Sequence, residues 1–194
     1  MKVLNNIYDV FEHMEKRKAM FLGNGHTFQS LDSFVSGYMI AATEQQLQQP
    51  GSPYFGYFNT WVLGHIAENY GLSGGWFWQI SNRNLNDDIK AFDDFFNILK
   101  IFKGSAISTK LIVVNPQAHN FNVNGPVKVF VGPNLDERLK VPYAVRCTSI
   151  ANSTTVWIEF LDDSNKTFDD RWYLNTTEAN QALAQEFGGY LKAF

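Results

Sequence analysis

Residues 86 to 104 constrain the fold of this chain more than any other stretch. Ile89, Phe92, Phe95 or Phe96, Leu99 and Phe102 recur at helical spacing. Asn86 stands ahead of them as a cap, Asp87 and Asp88 fall in the first turn, Lys100 and Lys103 fall in the last, and Gly104 ends the run. Period, capping and charge placement all specify one amphipathic helix, because carboxylates suit the positive end of the helix dipole and cations the negative end. Directly after Gly104-Ser105 the period drops from 3.6 to 2. A chain that changes period there must place helices on one side of the boundary and strands on the other.

Upstream the pattern is helical throughout. Leu4, Ile7, Val10 or Phe11, and Met14 predict a helix over 4–17, capped by Asn5 or Asn6. Met20, Phe21 and Leu22 read as an apolar plug in the helical core, Gly23 and Gly25 as a turn, and Thr27 as the N-cap of a helix running to about Gln46. Pro50 and Pro53 oppose helix continuation. Phe55, Phe58, Val62 and Ile66 predict a third helix over 54–70, with Gly71 as its stop, and Trp76-Phe77-Trp78-Gln79-Ile80 a short one.

Downstream, Lys110 to Val114, Val127 to Val131, Val141 to Ile150, Thr154 to Leu161 and Phe168 to Leu174 read as five strands with short connections, hence an antiparallel meander. A last helix begins at Asn175, with Glu178 three residues on as its capping-box partner; Leu183, Phe187, Leu191 and Phe194 form its apolar face. The expected fold class is therefore α+β: an α-helical region over 1–104, then an antiparallel β region with a C-terminal helix over 105–194. The pattern fits two domains or one fused domain.

With 16 Lys+Arg against 19 Asp+Glu the formal charge is −3, which argues against a dedicated nucleic-acid binder. A single cysteine, Cys147, rules out an intramolecular disulfide and a cysteine metal cluster. The first residues hold no apolar stretch of signal-peptide length, and no run approaches a membrane span, so a cytoplasmic protein is expected.

Chemistry has few footholds. His65 and Glu68 sit at i and i+3, which could place an acid–base pair or two metal ligands on one helix face, but a metal needs a third ligand. Cys147 lies mid-strand without the glycine-flanked turn of a nucleophile. No Gly-x-Ser-x-Gly elbow and no phosphate-binding glycine loop occurs. No catalytic residue, metal or cofactor is therefore expected. The best candidates for binding are Asp87, Asp88, Asp93 and Asp94, four carboxylates on one helix that could face a basic partner. Trp76 and Trp78 could anchor the same partner, against the ordinary alternative of core packing.

Two family resemblances attach to the stretch around residue 20. Lys16-Arg17-Lys18-Ala19-Met20-Phe21-Leu22-Gly23 resembles a signature of the DNA gyrase B ATPase, yet the next helix supplies only Asp32 and Glu44, with no Asn, and no glycine-rich Asp-x-Gly-x-Gly follows. A fuller succession is similar to a group of small bacterial immunity-type proteins associated with polymorphic and contact-dependent growth inhibition toxins. It comprises Arg17 to Gly23, Leu31-Asp32-Ser33-Phe34-Val35-Ser36-Gly37-Tyr38, Phe58-Asn59-Thr60-Trp61-Val62, Tyr70-Gly71, Gly75-Trp76, and Ala91-Phe92-Asp93-Asp94-Phe95-Phe96-Asn97-Ile98-Leu99. The order holds over residues 15 to 103. Lys18 replaces the usual proline, and the β region has no counterpart in the pattern. The resemblance implies a toxin inhibitor that binds a cognate protein toxin stoichiometrically; it carries over no catalytic residue and specifies no oligomeric state. The alternative is a small hydrolase-type enzyme, or a ligand-binding regulatory module, using a pocket between the two halves with His65, Glu68 or Cys147.

Overall fold

The computed structural model describes residues 6–24, 27–44, 52–66, 74–114 and 142–187. They form α1 (Ile7–Lys16), α2 (Lys18–Leu22), α3 (Phe28–Glu44), a 3-10 turn (Phe55–Tyr57), α4 (Phe58–His65), α5 (Gly75–Arg83) and α6 (Asp88–Gly104). These are followed by β1 (Ile107–Val113), β2 (Ala144–Ile150), β3 (Val156–Leu161), β4 (Thr167–Tyr173) and α7 (Thr176–Phe187). The chain divides into two compact units, Met1–Ser105 and Ala106–Phe194. The architecture is α+β, helices first, then an antiparallel sheet and a closing helix.

In the first unit the helices begin where their caps permit. Asn6 Oδ1 accepts the Asp9 N–H at 3.1 Å and starts α1. Thr27 and Ser30 cap α3 reciprocally: Thr27 Oγ1 accepts from the Ser30 N–H, and Ser30 Oγ accepts from the Thr27 N–H. Gly23 takes φ 78°, ending α2 in the left-handed region that glycine adopts without steric cost.

Aromatic packing holds these helices together. The Phe58 ring lies 5.2 Å from Phe55, 5.6 Å from Phe95, 5.3 Å from Phe102 and 6.1 Å from Trp76. Such pairs contribute about 0.5–1.5 kcal/mol each beyond the burial of their area. α6 buries Ala91, Phe92, Phe95, Phe96, Ile98, Leu99 and Phe102 along one stripe. Tyr8 Oη donates to the Pro53 carbonyl at 2.6 Å, tying α1 to the approach to the 3-10 turn.

Several expectations shift here. The third helix is not continuous: a 3-10 turn leads into α4, and the chain leaves the helix at Ile66 with ψ 104°, while residues 67–71, with the expected Gly71 stop, lie outside the described residues. The apolar spacing survives the change, since Phe55, Phe58, Val62 and Ile66 are all buried. α6 is capped by Asp87, not Asn86; the Asp87 carboxylate accepts from the Ile89 and Lys90 N–H groups at 3.1 Å, whereas Asn86 sits at φ 60° and accepts from Ser81 Oγ. Ile89, expected in the core stripe, is 76% exposed. Met20 is 69% exposed, so the plug reduces to the half-buried Phe21 and Leu22, with Phe21 edge-on to Phe34 at 6.3 Å.

In the second unit the sheet order is β1-β2-β3-β4, all antiparallel. Four strands are described rather than five; the expected strand over 127–131 lies outside the described residues. Register places Val145 opposite Phe160 and Cys147 opposite Ile158. These four, with Ile112, Val114 and Val156, make an apolar face on which α7 lays Ala179, Leu183 and Phe187. The α7 cap is the one expected: the Glu178 N–H donates to Asn175 Oδ1 at 2.9 Å, and Asn175 Nδ2 donates back to the Glu178 carboxylate at 3.0 Å. The expected apolar positions Leu191 and Phe194 lie outside the described residues.

Candidate functional site

The four candidate carboxylates all lie at or near the N-terminal half of α6, but they do not form an uncompensated acidic surface. Asp87 is occupied by its own helix: besides its capping bonds it meets Lys90 Nζ at 3.1 Å. The Lys90 backbone N–H, and then the Lys90 ammonium, hold the Asp87 carboxyl below the usual carboxylate range. Asp93 receives Lys18 Nζ at 2.9 Å.

Asp94, expected among the carboxylates facing a basic partner, is the most enclosed of the four, its side chain 21% exposed. It accepts from Asn84 Nδ2 at 2.9 Å and faces Arg83 Nε at 3.6 Å. Asn84 in turn donates to the Ile80 carbonyl, so Asp94 clamps the end of α5 onto α6. Asp88 stands exposed in the first turn. Lys90, at i+3 from Asp87, was legible from sequence as its neutraliser. Lys18, Arg83 and Asn84 were not, since only the packing of α2 and α5 on α6 brings them there.

The two tryptophans part company. Trp76 is a core residue, edge-on to Phe28 at 5.8 Å and tilted against Phe95 at 5.0 Å. Trp78, two residues on, is 46% exposed. Local geometry fixes this division. Gly75 takes φ 61° and an added Cβ would meet Asn59 Oδ1 at 2.7 Å. That oxygen accepts the Trp76 N–H, also at 2.7 Å, so α4 itself caps the start of α5. Only glycine at position 75 permits the approach.

One surface feature was not anticipated. The corner between α5 and α6 carries Leu85, 90% exposed, at φ 54°, followed by Asn86 at φ 60°. The sequence signal was a leucine between two asparagines in a turn, where left-handed backbone favours the asparagines.

His65, half-buried at the end of α4, stacks on Trp61 with centroids 4.3 Å apart. Glu68, His26 and His119 lie outside the described residues. Cys147 is buried in the apolar face of the second unit, and desolvation pushes its thiol up to about 12, against the thiolate a nucleophile requires. Among the described residues no three His, Cys, Asp or Glu side chains gather as metal ligands. No helix among them is long and apolar enough to cross a membrane. Comparison with family models, curated proteins and solved structures yields no match.

Proposed function

We propose that this chain is an immunity protein: it binds a cognate bacterial toxin stoichiometrically in the cytoplasm and blocks it, without chemistry of its own. The observation that carries the reading is how the motif residues of the resemblance lie in the fold. Leu31, Phe58, Trp61, Val62, Trp76, Ala91, Phe92, Phe95, Phe96, Ile98 and Leu99 are buried within one compact unit. Asn59 of one motif caps the helix opened by Gly75-Trp76 of another. Four of the matched segments, those beginning at Leu31, Phe58, Gly75 and Ala91, thus contribute to one packed body, while Tyr70-Gly71 lies outside the described residues; this favours a likeness of whole units over a chance run of apolar matches.

Inhibition by binding needs a surface and no reactive group. The exposed side of the α5–α6 hairpin, with Trp78 and Asp88, is the surface that this reading uses. Because Asp87, Asp93 and Asp94 already have cationic neighbours, charge attraction to a basic toxin would be modest, and affinity would come from apolar contact. Co-expression with the adjacent reading frame tests the function. Rescue of growth from a toxic neighbour supports it; a neighbour that is not toxic, or that kills regardless, rejects it.

A further inference from the structure

We infer that Leu85 is the anchor of this binding surface, and that the partner is a protein presenting an apolar pocket with a cation at its rim; the inference rests on the binding function proposed above. The corner is built to be rigid. The Leu85 N–H donates to the Asn82 carbonyl at 2.9 Å, the Asn86 N–H to the Ser81 carbonyl at 2.9 Å, and the Asp87 N–H to the Asn84 carbonyl at 2.9 Å. Ser81 Oγ bonds Asn86 Oδ1 at 3.0 Å, and Asn84 Nδ2 bonds the Ile80 carbonyl at 2.9 Å. These bonds hold Leu85 in left-handed backbone, a conformation in which leucine is disfavoured and asparagine or glycine at home.

The fold gains nothing visible in exchange. At 90% exposure Leu85 buries almost no apolar surface, and any of several polar residues would suit its backbone better. A strained residue that contributes no packing points to a role outside the folded chain. An apolar side chain already fixed in position loses little freedom on docking, which is how a preorganised anchor gains affinity. Ile89, in the first turn of α6, and Trp78, on α5, add apolar surface on either side of the corner in the chain.

Charge describes the rim of the complementary pocket. Around the corner Arg83 is matched by Asp94 and Lys90 by Asp87. Among the described residues no ion pair engages Asp88, exposed three residues beyond Leu85. The hairpin therefore presents an apolar tip and, three residues on, a carboxylate that no ion pair among the described residues engages, and a cation facing Asp88 completes the match.

The test uses the full chain and two variants, Leu85→Asn and Leu85→Met, titrated calorimetrically with the polypeptide of the adjacent reading frame, with melting temperatures measured in parallel. Leu85→Asn is expected to melt at or above the wild-type temperature and to bind about tenfold or more weakly. Leu85→Met is expected to stay within about threefold of wild type, because an apolar side chain of similar volume refills the pocket. If wild type and Leu85→Asn bind alike, the binding function stands and this inference falls. A melting temperature lowered by Leu85→Asn would make Leu85 a structural residue and overturn the inference as well. If the wild-type chain itself does not bind, the functional reading fails and takes this one with it.

Discussion

Lys18 Nζ lies 2.9 Å from Asp93 Oδ1, across 75 residues of chain, and the same ammonium stands 4.4 Å from the centre of the Phe92 ring. Read alone, the acidic face of α6 looks like a surface for an outside partner and the basic triplet Lys16-Arg17-Lys18 like a solvated helix end. In the folded unit one member of each set neutralises the other. Both groups remain partly open to water, so the pair belongs to the exposed class that contributes about 0.2–1 kcal/mol. A Lys18→Met, Asp93→Asn double-mutant cycle should give a coupling in that range at low salt and close to zero at about 1 M salt, where the screening length is about 3 Å. Coupling that persists at high salt would contradict this description.

Phe58 touches more of the helical core than any charged pair does. Truncating it to alanine removes contacts with Phe55, Phe95, Phe102 and Trp76 together. The expected loss is about 3–5 kcal/mol, enough to unfold the first unit in a marginally stable chain. Phe58→Leu should cost less, because it leaves a smaller void. Urea titration followed by tryptophan fluorescence reads the difference, and a Phe58→Ala chain that unfolds at the wild-type midpoint would refute the prediction.

Asp170 should make the second unit more stable in mild acid than its charge count suggests. Desolvation, then the Asp169 and Glu159 carboxylates, raise its pKa above the ordinary value of 3.8, and register places Glu159 directly opposite it. Arg146 and Thr167 bond Glu159, while Arg171 pairs with Asp169. A carboxyl with a raised folded-state pKa binds its proton more tightly folded than unfolded. Its ionisation therefore costs stability at neutral pH, and that cost disappears as pH falls through the raised value. Asp170→Asn should raise the urea midpoint at pH 7 by an amount that shrinks towards pH 4; an equal or growing difference in acid would refute it.

Cys147 should be silent to thiol reagents in the native chain. Its burial and its elevated thiol pKa leave almost no thiolate at pH 8, whereas unfolding exposes an ordinary cysteine. Labelling should be negligible in buffer and stoichiometric in denaturant. Cys147→Ser should destabilise more than Cys147→Ala, since a hydroxyl facing Val145, Ile158 and Phe160 is a buried polar group costing about 1–3 kcal/mol if unbonded.

α6 and α7 were legible in the sequence because each is specified more than once, α6 by period, cap and terminal charges, and α7 by period and the reciprocal Asn175–Glu178 cap. Even so, the α6 cap moved by one residue, because Asn86 was drawn into the left-handed corner and its side chain to Ser81, leaving Asp87 to take the backbone donors. The 3-10 turn before α4 was invisible because its apolar residues keep the same spacing as a helix. Ile89 and Met20 were misplaced because periodicity assigns a face to every apolar residue, including those that no neighbouring element covers. Of the candidate site, the carboxylates and Trp78 could be found by residue type. Their neutralisation could not, since Lys18 and Arg83 arrive by packing rather than by local spacing.

α1 and α2 run against α6 with three ion pairs in antiparallel order: Glu12 to Lys103, Glu15 to Lys100 and Lys18 to Asp93. Apolar packing alone tolerates a slide of one helical turn, about 5.4 Å, because rings and aliphatic groups refit in more than one register. The charges do not. Advancing Glu15 to Lys103 carries Lys18 towards Lys100 and strands Asp93, while a slide the other way leaves Glu15 opposite no cation. Each pair is weak as a stabiliser, yet the reversal of sign between α1 and α2 penalises slipped assemblies, so the ladder selects one docking of the N-terminal helices from several of similar apolar contact.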